Sequence, residues 1–280
     1  MINEGATYWE SIADEWKKTR PDQLWRKHSD TVNQSLLLRW LPEHPSPRLL
    51  KTDTFDEAVG GGLIQFLKTR AHKIVGMDLS FQNVQLACPR DMSIRGACAD
   101  VRHLPFGEES FDVVVSNSTL DHFQTLDEII VSLRELHRVL RKDGQLILTL
   151  DNPANPIIAA RNILPFKLLN RLGILPYYVG ATCGPWRLQK LLREIDFEVR
   201  EVTAVLHCPR IFAVLAAKLL CSCAKGSVQQ RFLRWLEAFE HLSRWPTRYV
   251  TGNFIAVRAE KINPSERGVP RLNDFSTECL

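Results

Sequence analysis

The chain has 280 residues, of which 45% are hydrophobic and 24% are charged, an ordinary composition for a globular protein. Its net charge of +4 is too small to indicate a polyanionic partner, so we expect no nucleic acid among its partners. No apolar run approaches the roughly 20 residues that span a bilayer, and the acidic, aromatic N-terminus is unlike a signal peptide. The seven cysteines lack the paired spacing of a zinc site. Together these features predict a cytoplasmic protein without a metal.

Residues 1–45 are predicted to form a helical, aromatic cap, which three prolines separate from the first strand. Short β-rich runs then alternate with helical stretches. Several of these runs are continuously apolar, as in parallel strands that are covered on both faces. The five strand candidates are residues 48–53, 73–79, 94–100, 111–117 and 145–152.

The strongest helix pattern lies between the fourth and fifth strand candidates. Thr125 and Glu128 have the spacing of a capping box, which satisfies free amides at a helix start. Apolar residues recur from Leu126 to Leu140 at steps of three and four, and Gly144 is predicted to end the helix in a left-handed conformation. The alternation of strands and helices predicts a doubly wound α/β sheet with right-handed crossovers.

The second half of the chain has a different pattern, and we expect it to form the substrate side of a single domain over residues 1–262. The predicted fold class is Rossmann-like, with a mostly parallel seven-stranded sheet, an N-terminal helical cap and a C-terminal helical insert. The insert is open to two interpretations, core packing or peripheral contact with a membrane surface. Its parts are an apolar, proline-rich segment (153–180), a helix (185–195), a strand (198–206), the insert (210–245), a closing strand (251–261) and a loose tail (263–280).

Ligands of a doubly wound sheet bind at the carboxyl ends of its strands, so the residues after each strand are the candidate site. After the first strand, three glycines (60–62) either let backbone amides approach a ligand or form a plain turn. Asp78 ends the second strand, where a carboxylate can accept hydrogen bonds from the ribose of an adenosine or cap the next helix. Asp100 ends the third and can accept from an adenine amine or cap a turn.

A longer stretch resembles a known family. The run GACADVRHLPFGEESFDVVVSNSTLDHF, followed by LRELHRVLRKDGQLILTL, is similar to the class I S-adenosylmethionine-dependent methyltransferases, in particular their UbiE-like (methyltransferase type 11) branch. The similarity lies in the D-x-x-x-LPF segment, the SFD run of the fourth strand, the DH pair and the helix that ends in RVLRKDG. It covers residues 48–152 well and the next hundred loosely. It implies a transferase with S-adenosyl-L-methionine as its cofactor.

The resemblance also implies roles for individual residues. His122 would lie near the substrate pocket, either as a catalytic base or as a packing residue at a helix start. The residues that would contact the cofactor are Asp78 with its neighbour Leu79 on the ribose side, Asp100 and Val101 on the adenine side, and Ser116 and Asn117 on the methyl-transfer side.

The segment after the first strand departs from the family pattern of an acid, a hydrophobic residue and then Gly-x-Gly-x-Gly. Either Asp53 is the strand-end acid and the next six residues are an inserted bend, or Glu57 is the acid and Val59 replaces the first glycine. Gly60 and Gly62 would contact the cofactor in both cases. The methionine end of the cofactor must therefore be held in a modified way.

Methyl transfer needs alignment of two reactants and exclusion of water more than acid–base chemistry. His122 is the candidate base, because histidine side chains exchange protons near neutral pH, with Asp121, Tyr177 and Tyr178 as weaker alternatives. We expect a small-molecule or lipid- or glycan-linked acceptor. The alternative is a non-catalytic protein of the methyltransferase fold with a degenerate cofactor loop. A nicotinamide-dependent enzyme is disfavoured, since AVGGGLIQF does not fit G-x-G-x-x-G.

Overall fold

The structure is a computed structural model that describes residues 5–19, 23–88, 94–171, 177–223 and 226–262. The loose tail predicted for residues 263–280 lies outside them. The seven strands are β1 (Ser46–Lys51), β2 (Ala71–Asp78), β3 (Ile94–Cys98), β4 (Phe111–Asn117), β5 (Leu140–Asp151), β6 (Phe197–Val205) and β7 (Phe254–Lys261). They form one sheet in the order β3-β2-β1-β4-β5-β7-β6, in which β7 runs antiparallel to both of its neighbours.

Helices cover both faces of this sheet, so the predicted Rossmann-like fold is confirmed. Short 3-10 turns at Leu120–His122 and Phe239–Arg244 complete the regular structure of the described residues. The α-helices there are α1 (Ala6–Thr19), α2 (Gln23–Trp40), α3 (Phe55–Ala58), α4 (Ile64–Leu67), α5 (Phe81–Ala87), α6 (Leu126–Val139), α7 (Pro156–Ile163), α8 (Phe166–Arg171), α9 (Pro185–Glu194), α10 (Arg210–Cys223), α11 (Gly226–Ala238) and α12 (Arg248–Thr251).

The continuously apolar strands are explained by two hydrophobic cores, one on each face of the sheet. Leu49 of β1 packs into the core that α2, α10 and α11 close, whereas the next residue, Leu50, packs into the core that α6 and α9 close. Successive side chains of a strand point to opposite faces. Because both faces are covered, no polar alternation is needed.

The capping box predicted for α6 is present. The Thr125 hydroxyl accepts a hydrogen bond from the Glu128 amide (3.3 Å), and the Glu128 carboxylate accepts one from the Thr125 amide (3.0 Å). The prediction for Gly144 is wrong, because α6 ends at Val139 and the chain continues directly into β5. Asp143 has the positive φ of 59°, and a Cβ on Gly144 would lie 2.7 Å from the Arg141 carbonyl oxygen.

The first strand begins two residues earlier than predicted and includes Pro47. Only β2 pairs with this part of β1, since the pairing with β4 starts at Leu49. A proline, which has no amide hydrogen, is therefore tolerated on the side of β1 that has no partner there.

The predicted helical insert is formed by α10 and α11. Ala213 and Ala217 of α10 and Leu233 of α11 join the core beside α2, as the packing interpretation requires. The opposite side of α10 exposes Phe212 (73%) and Leu219 (70%). Within the described ranges, no helix has the length and apolar character needed to cross a bilayer.

Candidate functional site

A large cavity lies at the carboxyl edge of the sheet, where the strand order reverses between β1 and β4. Its volume is about 1180 Å³. Pockets for one small ligand have volumes of roughly 300–1,000 Å³, so this cavity has room for two ligands side by side. The site residues from the sequence that line it are Asp53, Asp78, Leu79, Asp100, Val101, Asn117 and His122.

Hydroxyl groups connect the ends of β1 and β4 beneath this cavity. The Thr52 hydroxyl donates to the Ser116 hydroxyl (3.0 Å) and lies 2.8 Å from the Thr119 hydroxyl. Ser116 is fully buried and does not line the cavity, whereas Asn117 does. Ser116 therefore supports the floor of the site.

Asp78 ends β2 with its carboxylate nearly buried at the edge of the cavity. Its oxygens accept hydrogen bonds from the amides of Thr54 (3.0 Å) and Ser80 (2.9 Å), which fix its orientation. Burial raises the pKa of Asp78, and these hydrogen bonds oppose that effect. Ser80, not Asp78, caps α5, because its hydroxyl accepts from the Asn83 amide at 3.1 Å.

Asp100 follows β3, where it caps a turn and also lines the cavity. Its carboxylate accepts from the Arg102 amide (2.8 Å), which caps a turn, and binds the Arg102 guanidinium at 2.7 Å while it lines the cavity. Burial alone would raise the pKa of Asp100, but the hydrogen bonds from Arg102 outweigh it and lower the pKa. The Arg102 guanidinium also lies 4.8 Å from the centre of the Phe123 ring and contacts Glu128.

The segment after β1 is organised around a buried lysine that the sequence analysis did not consider. Lys51, the last residue of β1, donates from its Nζ to the Asp53 carbonyl (2.6 Å) and to the Glu57 carboxylate (3.0 Å). Burial alone would lower the pKa of Lys51, but the carboxylates of Asp53 and Glu57 outweigh it and raise the pKa. Burial also raises the pKa of Asp53, to about 7, against the opposing charge of Lys51.

The two alternatives for the strand-end acid have different places in this arrangement. Asp53 lines the cavity. Glu57 does not, because its carboxylate turns inward and accepts hydrogen bonds from the amides of Leu63 (2.8 Å) and Ile64 (3.2 Å) at the start of α4. Asp53 is thus the acid that a ligand can reach.

The three-glycine turn also faces the protein. Gly60 and Gly62 have φ angles of 99° and 93°, which favour glycine, and the Gly62 amide donates to the Asp30 carboxylate of α2 at 3.0 Å. Neither glycine lines the cavity, so the cofactor contacts predicted for them have no counterpart in this arrangement. The turn instead joins the first strand region to α2.

Aromatic rings from α1 and from the loop before α9 cover the end of the cavity near Asp53. The centre of the Trp9 ring lies 4.7 Å from that of the His122 ring and 6.2 Å from that of the Phe55 ring. The centre of the Tyr177 ring lies 5.5 Å from that of His122. The Tyr8 hydroxyl of α1 accepts a hydrogen bond from the Tyr178 amide at 2.8 Å. These contacts place the N-terminal helix over the cavity.

His122 is oriented by its neighbours. Its Nδ1 lies 2.9 Å from the Tyr178 carbonyl oxygen, and since a carbonyl only accepts, Nδ1 donates this hydrogen bond. Nε2 is then the basic nitrogen, and it lies 3.9 Å from the Asp121 carboxylate. Burial raises the pKa of Asp121, and the charge of His122 opposes this. The geometry permits His122 to take up a proton at Nε2.

Two arginines in the cavity wall were missed by sequence reasoning. Arg161 of α7 and Arg210 at the start of α10 both line the cavity; the Arg161 side chain is 9% exposed, and Arg210 is partly buried. In the sequence, a single arginine on an amphipathic helix is typical of a solvated face. No motif distinguishes these two from their neighbours.

Comparison with known proteins agrees with the resemblance to methyltransferases. Residues 56–148 match the family model described as a methyltransferase domain. Malonyl-[acyl-carrier protein] O-methyltransferase of Hamiltonella defensa is 30% identical over 98 residues, which are 35% of this chain and 37% of that protein. Demethylmenaquinone methyltransferase of Lactobacillus johnsonii is 34% identical over 95 residues, which are 30% of this chain and 36% of that protein. The chain thus spans little more than a third of these curated relatives.

The solved structures agree on the fold. Geranyl diphosphate methyltransferase in complex with SAM superposes with a TM-score of 0.53 and 14% identity, over 82% of this chain and 84% of that one. The match over residues 56–148 is thus to a methyltransferase domain, and the chain shares its fold with a solved methyltransferase that binds SAM.

Proposed function

We propose that the chain transfers a methyl group from S-adenosylmethionine to an acceptor bound beside it in the same cavity. The observation that carries the proposal is the convergence of Asp78, Asp100 and His122 on one cavity large enough for both reactants. The acceptor is proposed to be a small molecule or a lipid- or glycan-linked compound. The domain division proposed from the sequence, a cofactor half (48–152) and a substrate half (153–262), is consistent with the residues that line this cavity.

The donor groups of the cavity fit the cofactor. Asp78 offers carboxylate oxygens to ribose hydroxyls, and Asp100 with the buried Val101 offers an acceptor and an apolar contact to adenine. Asp53 offers a carboxylate to the α-ammonium group in place of the family's glycine-rich loop. When bound, S-adenosylmethionine supplies a methyl group on a positively charged sulfur, which the acceptor attacks in line.

The chain's own residues would align the acceptor and exclude water, which can lower a barrier by roughly 7–11 kcal/mol. Trp9, Phe55 and Tyr177 form an apolar cover that keeps water away. His122 would accept a proton at Nε2 from an acceptor hydroxyl or amine, with Asp121 beside it. An acceptor that is already anionic needs no such base.

Calorimetric titration with S-adenosylhomocysteine tests the cofactor site. We expect the wild-type protein to bind S-adenosylhomocysteine. The Asp78→Asn variant should bind it at least about tenfold more weakly, because this variant loses the charged acceptors for the ribose. Asp112→Asn is the matched control, since Asp112 binds Arg141 and the Arg48 amide and does not line the cavity. Melting temperatures establish that all three proteins are folded.

Failure of the folded wild-type protein to bind the cofactor product would refute the proposal. The non-catalytic interaction protein would then be the better hypothesis, with the Lys51-centred segment as the reason for lost binding.

A further inference from the structure

The cavity wall formed by α7 and α10 has a chemistry that cofactor binding does not use. Arg161 of α7 donates from Nη2 to the Asp151 carboxylate at the end of β5 (2.5 Å), and only 9% of its side chain is exposed. Its Nη1 is buried and has no hydrogen-bond partner among the described residues. A buried donor without a partner is costly, and it points to a ligand that accepts from it.

Arg210 supplies a second guanidinium to the same wall. It lies 5.8 Å from the centre of the Trp25 ring and 5.7 Å from that of Phe254, and it hydrogen-bonds to the Tyr177 side chain. The rings hold the flat guanidinium by cation–π contacts while it lines the cavity. Its position is therefore fixed before any ligand arrives.

Two guanidinium groups lie together in this wall. Asp151 pairs with Arg161 and also acts electrostatically on Arg210, so one carboxylate faces two guanidinium groups. Asp121 is a second carboxylate that acts on Arg210, and its oxygens are occupied by the Ser118 hydroxyl and the Asp151 amide. Buried positive charge is stabilised by an anion, and the planar arginine fork matches the oxygens of a carboxylate or a phosphate.

The mouth of the cavity beside these arginines is apolar. Ile157 and Leu164, on and just after α7, and Ile211 and Leu215 on α10 line the cavity while 43–55% of each residue is exposed. Apolar side chains that stay half in water gain free energy when a hydrocarbon covers them. A charged anchor inside an apolar mouth is the complement of an amphiphile.

We propose that this wall binds an amphiphilic acceptor whose carboxylate or phosphate pairs with Arg161 and Arg210 and whose hydrocarbon chain lies on Ile157, Leu164, Ile211 and Leu215. The assignment rests on the proposed function, because it treats the bound amphiphile as the acceptor. The anionic group is the anchor that orients the acceptor in the cavity.

Titration calorimetry with three probes tests the proposal. Monomeric dodecyl phosphate carries both features, inorganic phosphate carries only the anion, and dodecanol carries only the chain. We expect dodecyl phosphate to bind the wild-type protein at least about tenfold more tightly than either partial probe. Dodecanoate, titrated in parallel, distinguishes a carboxylate anchor from a phosphate anchor.

Variants assign the binding to this wall. Arg210→Gln and Arg161→Gln are expected to weaken dodecyl phosphate binding about tenfold, and Leu215→Ser is expected to reduce the gain in affinity from octyl to dodecyl phosphate. Arg193→Gln is the matched control, because Arg193 is an arginine of α9 that does not line the cavity. Leu215 is 55% exposed, so Leu215→Ser keeps the test valid if Arg161→Gln fails to fold.

The outcomes separate the two proposals. Equal binding of dodecyl phosphate by the wild-type and both arginine variants, or binding only to phosphatidylglycerol vesicles and not to the monomeric probe, would overturn the assignment. Loss of S-adenosylhomocysteine binding with retained amphiphile binding would overturn the methyltransferase proposal and leave the anionic site in place. The arginine variants are expected to keep their affinity for S-adenosylhomocysteine within about twofold.

Discussion

Lys51 is the residue on which the unusual segment after β1 depends. Its ammonium group is buried between the carbonyl and carboxylate of Asp53 and the carboxylate of Glu57, and Glu57 in turn holds the first amides of α4. Removal of one member of a buried charge group leaves the others without compensation, which costs far more than an exposed ion pair contributes. The local fold therefore requires all three residues together.

We expect Lys51→Met to lower the free energy of unfolding by about 3–5 kcal/mol, because Glu57 would remain as a buried, uncompensated carboxylate. Urea denaturation measures the change. The double variant Lys51→Met with Glu57→Gln should recover part of the loss, since it removes both charges. A single-variant loss below about 1 kcal/mol would mean that water already solvates this group.

At the scale of elements, α1 is held over the cavity by polar contacts as well as by the rings of Trp9 and Trp16. Besides the hydrogen bond from the Tyr178 amide to the Tyr8 hydroxyl, two side chains of the α5 region donate to α1. The Ser80 hydroxyl donates to the Glu10 carboxylate (3.3 Å), and the Gln82 side-chain amide donates to the Asp14 carboxylate (3.1 Å). Few of its side chains are fully buried. An element with few buried side chains opens locally at a lower cost than the core, so α1 is suited to admit ligands.

Amide hydrogen exchange tests this role of α1. With bound S-adenosylhomocysteine, exchange over Ala6–Thr19 should slow by about tenfold, because a ligand in the cavity adds contacts to Trp9 and Trp16. α11, which packs against α2 and does not line the cavity, is the internal control and should not change. Unchanged exchange in α1 under saturating ligand would assign it to ordinary packing.

The sequence predicted the longer elements because each is periodic over enough residues. The strands between two apolar cores and the capped α6 are such cases. The four-residue helices α3 and α4 have no such signal, since their places are set by Glu57, Lys51 and Asp30. A lysine that ends a strand is usually exposed, so its burial could not be predicted locally.

The candidate site likewise contains residues that a local sequence pattern predicts and residues that it does not. Asp78, Asp100 and His122 were predictable because strand ends meet at one edge of the sheet and the family motif marks them. Arg161 and Arg210 come from helices far along the chain. Their convergence depends on how α7 and α10 pack, which no local pattern encodes.

For the whole molecule, His28 lies at the contact between the N-terminal cap and the C-terminal insert. It is fully buried on α2, with Nε2 3.5 Å from the Cys208 sulfur just before α10. Burial lowers the pKa of His28 to about 4, below the ordinary value of 6.5. Its contribution to stability is therefore present above pH 6.5 and lost as the pH falls toward 4.

We expect wild-type protein to lose about 2–3 kcal/mol of unfolding free energy relative to His28→Gln between about pH 7 and about pH 4.5. Asp30 and Glu240, whose pKa values burial raises to about 6 and about 7, act in the opposite direction, so only the difference between the two proteins isolates His28. Urea denaturation across this range measures it. If the unfolding free energies of the two proteins changed with pH in parallel, His28 would be solvated or protonated in the folded protein.

The buried lysine also constrains how this sequence can change over generations. A first-step substitution at Lys51, Asp53 or Glu57 alone carries a penalty that is a large part of the 5–15 kcal/mol by which domains are typically stable. Tolerated changes at these positions are therefore strongly epistatic and arise together. A return to the glycine-rich motif of the family, with an acid at the end of β1, would place a third carboxylate beside two others. This segment therefore changes at low cost only through combined substitutions.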